Sequence, residues 1–395
     1  MKRNFPALTI TDKGARFLRA GHSWVYADEV TAVSGSYEPG ELVDVYSAGG
    51  RWLGTGFAND HSKIRVRIVT KNPNDRLDET FWRRRIEWAV DYRRAVMGEE
   101  LAACRLIFGE ADGFPGLTVD RYNNVLVTEV LSAGMERIKE RLYDILMEQP
   151  DIDAIYERSD SPLREKEGLP CVTGFARGQA EGHTVIRENG LLFHVDYING
   201  QKTGFFLDQQ ENRRAAARFA RGRRVLECFT HTGAFAIHAA SGGAQSVTAV
   251  DISQTALDEA AKNAALNGLD IEFVKADVFE LLTQLAAGGR GTYDYILLDP
   301  PAFTKSSATL KAAYRGYKEI NRKAMQILPR GGFLATCSCS HFMTDELFRR
   351  MLSEAAREVN VSLRQAYVGR QAPDHPILWG VPETDYLKYY IFQVV

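Results

Sequence analysis

The sequence predicts an α/β protein in three parts: a small β-rich barrel, a central α+β region, and a parallel sheet covered by helices on both faces. Three observations predict it. The 395 residues, at roughly 150 per domain, call for two or three domains. Short apolar runs alternate with glycine-rich turns through residues 1–72, and strand-like and helix-like segments alternate after the residue 183 boundary.

Composition bounds the function. Lys and Arg number 49 against 51 Asp and Glu, a formal net charge of -2, with 45% hydrophobic and 25% charged residues. These are the proportions of a folded chain, and any nucleic-acid contact must come from local basic patches. Five cysteines, an odd number, make no disulfide framework and point to a reducing compartment. No run of about 7 to 15 apolar residues opens the chain, and none of about 18 follows, so a cytoplasmic protein is expected. Cys337-Ser338-Cys339 is C-x-C without a second Cys or His pair at ligand spacing, so no metal is expected.

Within residues 1–72 the runs are Leu42 to Tyr46, Trp52 to Phe57 and Ile64 to Val69, patterned as in a small barrel or sandwich. In the last, Arg65 and Arg67 share one face and Ile64, Val66 and Ile68 the other. Lys71-Asn72-Pro73-Asn74-Asp75 marks a boundary, after which Trp82, Ile86, Ala89 and Val96 recur as on one helix face. Residues 73–182 form the central region: a loop from Phe108 to Gly116, a strand from Val125 to Val130 and a helix from Glu136 to Met147. Residues 183–395 open on a hairpin signal, Val185 to Glu188 and Leu191 to Tyr197 around Asn189-Gly190, a pair suited to the two positive φ angles of a type I′ turn. A D-x-x-E start, Asp208 with Glu211, then begins a helix to about Ala220. Strands follow at Arg224 to Cys228, Val247 to Val250, Ile271 to Val274, Tyr295 to Leu298 and Phe333 to Thr336, with a helix from Thr255 to Leu266 closed by Gly268.

In such sheets the ligand sits beyond the carboxyl ends of the strands. The first turn, Glu227-Cys228-Phe229-Thr230-His231-Thr232-Gly233, lacks the G-x-G-x-x-G spacing that admits a pyrophosphate, which disfavours a dehydrogenase. Asp251 ends the second strand, where a carboxylate can accept both ribose hydroxyls, and Asp277 follows the third, where it can accept from an adenine amine. An adenosine without a pyrophosphate fits this set. Each residue also has a plainer reading: Asp251 and Asp277 as helix starts, Gly233 as a packing glycine. The fourth strand ends in Asp299-Pro300-Pro301-Ala302-Phe303, where consecutive prolines stiffen the loop and leave an acid beside an aromatic ring, suited to a planar heterocycle.

These motifs resemble class I S-adenosylmethionine-dependent methyltransferases, and more closely the RlmI-type 23S rRNA cytosine-5 methyltransferases. The likeness spans essentially the whole chain: Gly21-His22-Ser23-Trp24-Val25-Tyr26, Phe108 to Gly113, Lys202 to Gln209, Ser338-Cys339-Ser340, Asp374-His375-Pro376 and Tyr386-Leu387-Lys388. It implies a PUA-like RNA-binding domain over 1–72, the central α+β domain over 73–182, and a Rossmann-like methyltransferase domain over 183–395. Two departures are Ser23, where the family usually has Pro, and Gln210, where it usually has Arg. The second alters the charge near the expected cofactor carboxylate.

The resemblance implies S-adenosylmethionine across Phe229, Thr230 and Gly233, with Asp251 on the ribose, Asp277 and Val278 at the adenine, and Phe206, Gln209 and Arg213 over the methionine end. Asp299 borders the same site. For Arg213 the plainer reading is a solvated helix face. Carbon 5 of a pyrimidine is a poor nucleophile, and its methylation needs a thiolate to add at carbon 6. Cys337 and Cys339 would share one face of a strand, so spacing does not choose between them. Cys339 matches the cysteine of the family's Ser-Cys-Ser motif and is the expected nucleophile, with Cys337 as packing, while Asp299 is placed at the cytosine edge near N3. The plainer reading of Cys339 is a buried, inert thiol.

The expected partner is 23S ribosomal RNA, with no membrane; the assembly is open, a homodimer included. RNA contact is expected from Arg65, Arg67, Lys71, Arg76, Arg83, Arg84 and Arg85, interleaved with Phe81 and Trp82. The plainer reading of such a run is an exposed helix face. Pro300 and Phe303 would meet the extruded base. Two rivals stand beside this reading: methylation of a guanine nitrogen, which needs no thiol, and a noncatalytic RNA-binding or ribosome-assembly factor.

Overall fold

The computed structural model describes residues 5–304 and 306–395. They form two compact units: Met1–Ile186 with Val195–Leu207 and Pro373–Thr384, and Arg187–His194 with Asp208–Ala372 and Asp385–Val395.

The first unit begins with β1 (Ala7–Ile10), α1 (Asp12–Arg19), β2 (Trp24–Tyr26), β3 (Val30–Ser34), β4 (Leu42–Ser47), β5 (Trp52–Ala58) and β6 (Ile64–Thr70). Their six strands lie in the order β2-β6-β5-β4-β1-β3. Leu8, Val43, Val45, Val66 and Ile68 fill the interior, the alternation read from the sequence. A Cβ at Gly56 would stand 2.2 Å from the Arg67 carbonyl oxygen, so only glycine lets β5 and β6 approach this closely.

Next come α2 (Glu79–Met97), β7 (Ala103–Phe108), β8 (Leu117–Tyr122), β9 (Val125–Val130), α3 (Ala133–Met147), β10 (Ala154–Ser159) and β11 (Val172–Arg177). The strands form a five-stranded sheet in the order β11-β10-β9-β8-β7. Asp78 caps α2 by accepting from Phe81 N at 3.1 Å. The buried face of α2 runs through Trp82, Ile86, Ala89 and Val90 and ends on Arg93 and Met97, whereas Val96 is exposed. The guanidinium of Arg93 makes this possible, donating to both carboxylate oxygens of Asp112 at 2.7 and 2.8 Å. Phe57 and Val69 share one core with Trp82, whose ring stacks on Phe57 at 6.2 Å. The segment expected as a loop after Phe108 is a short 3-10 turn, Gly109–Asp112.

A hairpin, β12 (His183–Glu188) and β13 (Leu191–Asp196), follows. Asn189 and Gly190 have φ of 52 and 83, the positive pair the turn requires.

The second unit contains α4 (Gln210–Arg218), β14 (Arg224–Cys228), α5 (Ala234–Ser241), β15 (Ser246–Asp251), α6 (Gln254–Leu266), β16 (Glu272–Lys275), α7 (Val278–Ala287), β17 (Tyr295–Leu298), α8 (Leu310–Ile327), β18 (Phe333–Ser338), α9 (Asp345–Glu358), β19 (Leu363–Gly369) and β20 (Lys388–Val394). The sheet order is β16-β15-β14-β17-β18-β20-β19. β14 to β18 run parallel, while β20 is antiparallel to both β18 and β19. Ala216, Phe235 and Ala239 bring α4 and α5 onto one face, and Leu282, Ile320 and Met351 bring α7, α8 and α9 onto the other. Covered on both faces, β17 is apolar throughout. The strand order reverses direction between β14 and β17, and such a switch point opens a crevice at their carboxyl ends. No described helix is long and apolar enough to cross a membrane.

Candidate active site

The turn after β14 is held from below by Glu227. This buried carboxyl accepts from Ala236 N at 2.8 Å and from the Thr230 hydroxyl, and burial pushes it up to about 8 against the opposing Thr230 bond. Phe229, His231 and Gly233 have φ of 66, 50 and 82. Two non-glycine residues in the left-handed region within one turn are locally unfavourable, a pattern concentrated at functional sites. A Cβ on Gly233 would also lie 2.9 Å from Ala260 Cβ, so the plainer packing reading of this glycine holds as well.

The carboxylates expected at the adenosine hold local structure. Asp251 accepts from His231 N and Ser253 N, both at 2.9 Å, bracing the turn. Asp277 Oδ1 caps α7 through Phe279 N at 2.8 Å and Glu280 N at 3.1 Å. These bonds leave lone pairs for a ligand. The Val278 side chain is buried in the core, so only its backbone is placed for a ligand. Ile252, not singled out from the sequence, is 67% exposed beside Asp251 and offers an apolar face to a flat ring.

At the ends of β17 and β18 a second cluster forms. Asp299 Oδ1 accepts from Cys337 Sγ at 2.8 Å and from Gln209 Nε2 at 3.1 Å, while Asn212 Nδ2 donates to Gln209 Oε1 at 2.7 Å and fixes that amide. Burial pushes Asp299 up to about 6, with the Cys337 bond acting the other way. Burial and then the Asp299 charge drive the Cys337 thiol well above its ordinary value, so Cys337 remains a proton donor. It packs in the core, as expected, and also supports Asp299, which strand spacing alone did not indicate. Cys339, one step past β18, is only partly buried.

Arg213 is not on a solvated face. It is 2% exposed and binds both oxygens of Glu188 at 2.6 Å. The Gln210 side chain, also buried, has an amide nitrogen with no partner among the described residues, a donor in the first turn of α4 where the family usually has Arg. Phe206 belongs to the first unit, where Lys202 lies 4.7 Å from its ring centre. Pro300 is buried, and Phe303 is partly buried among Tyr317, Phe279 and Phe229 at 4.6, 5.9 and 6.3 Å between ring centres.

The basic cluster of the first unit is largely ion-paired. Arg65 binds Asp60, Arg67 binds Glu110 and Glu167 at 3.1 and 3.0 Å, Arg83 binds Glu79 and Glu148, and Arg84 meets Asp75 at 3.4 Å. Arg85 and Lys71 donate to backbone carbonyls. Phe81 and Trp82 are core residues and offer no ring to RNA, because the apolar face of α2 begins with them. Arg67 instead lines a cavity of about 690 Å³ with Trp24, Lys63, Ile64 and Lys166.

The profile of the S-adenosylmethionine-dependent methyltransferase family matches residues 170–388, and that of the PUA-like domain matches residues 8–71. The chain is 45% identical over 378 residues to the ribosomal RNA large subunit methyltransferase I of Shewanella amazonensis, covering 94% of this chain and 95% of that one. Its counterpart in Shewanella denitrificans is 43% identical, covering 96% and 97%. The chain belongs to the ribosomal RNA large subunit methyltransferase I family. A Streptococcus mutans chain described as a SAM-dependent methyltransferase superposes with a TM-score of 0.84 at 23% identity, covering 98% of this chain and 99% of that one, and shares the fold. A methyltransferase chain solved with SAH superposes equally well at 22% identity, with the same coverage.

As a member of this family the protein uses S-adenosylmethionine as its methyl donor. The residues present fit that group. The turn from Phe229 to Gly233, the free lone pairs of Asp251 and Asp277, and the exposed Ile252 suit an adenosine, and the orphaned Gln210 amide suits a carboxylate.

Proposed function

We propose that the protein methylates carbon 5 of a cytosine in large-subunit ribosomal RNA through a transient bond from Cys339. The curated relatives are named for that RNA, and the arrangement at the ends of β17 and β18 supports the chemistry. The observation that carries the reading is the division of labour between the two cysteines. Cys337 is a buried thiol spent on Asp299, whereas Cys339 lies at the rim and partly open.

S-adenosylmethionine, when bound, supplies an electrophilic methyl group. Phe229, Thr230, Gly233, Asp251, Asp277 and the Val278 backbone would hold its adenosine, with Gln209 and Arg213 assigned to the methionine end by family pattern. The Cys339 thiolate adds to carbon 6 of the cytosine, which makes carbon 5 nucleophilic enough to take the methyl group from the donor's sulfur. Asp299, raised to about 6 and fixed by Gln209, faces N3 and shares a proton with it as charge builds on the ring. Loss of the carbon 5 proton to a base then expels Cys339 as a thiolate and restores the aromatic ring. Pro300 stiffens the loop that aims Asp299, and Phe303 borders the base. The first unit supplies RNA contact, with Trp24, Lys63 and Lys166 around its cavity suited to stacking and phosphate.

The test is Cys339→Ala, assayed by transfer of a labelled methyl group to unmodified large-subunit rRNA with mass-spectrometric mapping of the product. Turnover should be abolished while equilibrium binding of S-adenosylmethionine persists. Retained turnover with methyl on a guanine nitrogen would replace this reading with its rival, and absence of turnover in the parent protein would favour a noncatalytic factor.

A further inference from the structure

Trp24 on β2 and Arg67 on β6 are paired across the antiparallel strands, with the Arg67 guanidinium 5.5 Å from the centre of the indole. Trp24 Nε1 and Arg67 Nη1 both donate to Glu110 Oε1, at 2.8 and 3.1 Å, and Arg67 Nη2 donates to Glu167 Oε1 at 3.0 Å. Glu167 is filled by further bonds, from Asn59 to Oε2 at 3.0 Å and from the Ser62 hydroxyl to Oε1. Glu110 is not. Its Oε1 is committed and fixes the carboxylate, whereas its Oε2 accepts no bond among the described residues. Trp24, Arg67, Glu110 and Glu167 all belong to the first unit and line its cavity of about 690 Å³.

Two carboxylates against one guanidinium leave a negative charge unneutralised in a cavity whose apolar lining is Trp24, Ile64, Leu131 and Leu163. A carboxylate so placed gains most from N–H donors, and it repels a phosphate. Lys63 and Lys166 line the same cavity, are exposed, and make no side-chain hydrogen bond or ion pair among the described residues, so they are open to phosphates. N–H donors for the carboxylate, a flat ring for the indole and phosphates for the lysines describe a nucleotide. The volume lies within the range of about 300–1,000 Å³ usual for small-ligand sites. The acceptor also selects the base. On their pairing edges the amines of adenine and cytosine adjoin an acceptor nitrogen, and the uracil N–H lies between two carbonyls. Guanine alone sets two donors, N1–H and the amino group, side by side.

We propose that this cavity binds the base of an unpaired guanosine of the ribosomal RNA, stacked on Trp24, with Glu110 Oε2 accepting from N1–H and the amino group and with Lys63 and Lys166 on the flanking phosphates. This guanosine is a recognition element separate from the cytosine that is methylated, and no covalent step occurs at it. The inference rests on ribosomal RNA being the substrate. Its test reads binding of short oligonucleotides without cofactor or turnover, so the two can fail separately: a Cys339→Ala chain with full turnover would refute the cysteine mechanism and leave an observed guanine preference standing.

The full-length protein is titrated, by fluorescence anisotropy at low salt, against labelled single-stranded RNA tetramers of uridine that carry G, A, C or U at the third position. The parent should bind the G tetramer about tenfold more tightly than the U tetramer. In Glu110→Gln the amide oxygen must turn to Trp24 and Arg67, which directs its NH2 at the cavity against the guanine donors, so the preference should vanish. The double variant Lys63→Gln with Lys166→Gln should weaken all four tetramers by a similar factor and flatten their salt dependence, with the guanine preference kept. Equal affinity of the parent for the four tetramers, as for a cavity that takes a cationic side chain of a protein instead, overturns the proposal. So does a guanine preference that survives in Glu110→Gln, or parental affinity in the lysine variant. Should Glu110→Gln not fold, 6-thioguanosine at the third position is photocrosslinked to the parent: crosslinks on peptides carrying Trp24, Lys63 or Lys166 support the proposal, and crosslinks confined to other peptides overturn it.

Discussion

Glu227→Gln separates the structural work of a buried carboxyl from its charge. Glu227 is 1% exposed and holds the turn after β14 through Thr230 and Ala236. Its carboxyl titrates at about 8 in the folded chain against about 4.5 in an unfolded one. Between those values the folded protein retains a proton that the unfolded chain has released, so its contribution is fully present below about 4.5 and is lost as pH rises through about 8. The gap corresponds to about 5 kcal/mol at most. Glutamine keeps an oxygen to accept both bonds and does not titrate. In urea denaturation at pH 5 and pH 9, the difference between Glu227→Gln and the parent should therefore move in favour of glutamine by a few kcal/mol as pH rises. Taking the difference at each pH cancels the titration of every other group. A difference constant to within about 0.5 kcal/mol would refute a neutral buried Glu227.

Two further outcomes follow from the site. Asp299→Asn should flatten the alkaline fall of kcat/KM that begins near pH 6 in the parent, because the carboxyl carries its proton only below about 6 and the amide has none to lose; a pH profile on an rRNA fragment reads it. Arg213→Met should cost about 3–5 kcal/mol in urea denaturation by leaving the Glu188 carboxylate buried without its cation, and Glu188→Gln in the same chain should recover much of that loss.

Much of the architecture follows from local pattern. The five parallel strands, the Asn189-Gly190 turn and the placement of Asp251, Asp277 and Asp299 at strand ends or just beyond them are legible because periodicity and turn chemistry act over a few residues. Sequence alone did not reveal what each side chain meets. The run Arg83 to Arg85 reads as a basic patch, yet Arg83 and Arg84 meet carboxylates and Arg85 carbonyls, some from distant elements. A solvated helix face stands as the plainer reading of Arg213 until Glu188 is beside it, and Val96 fits the helix period until Arg93 finds Asp112. Cys337 and Cys339 are equivalent by spacing, and the burial of Cys337 with its bond to Asp299 separates them. Pairing and burial of charge depend on residues far apart in the chain, so the sequence by itself determined where the reactive groups would gather, and the tertiary structure decided which of them were buried and which stood at the rim.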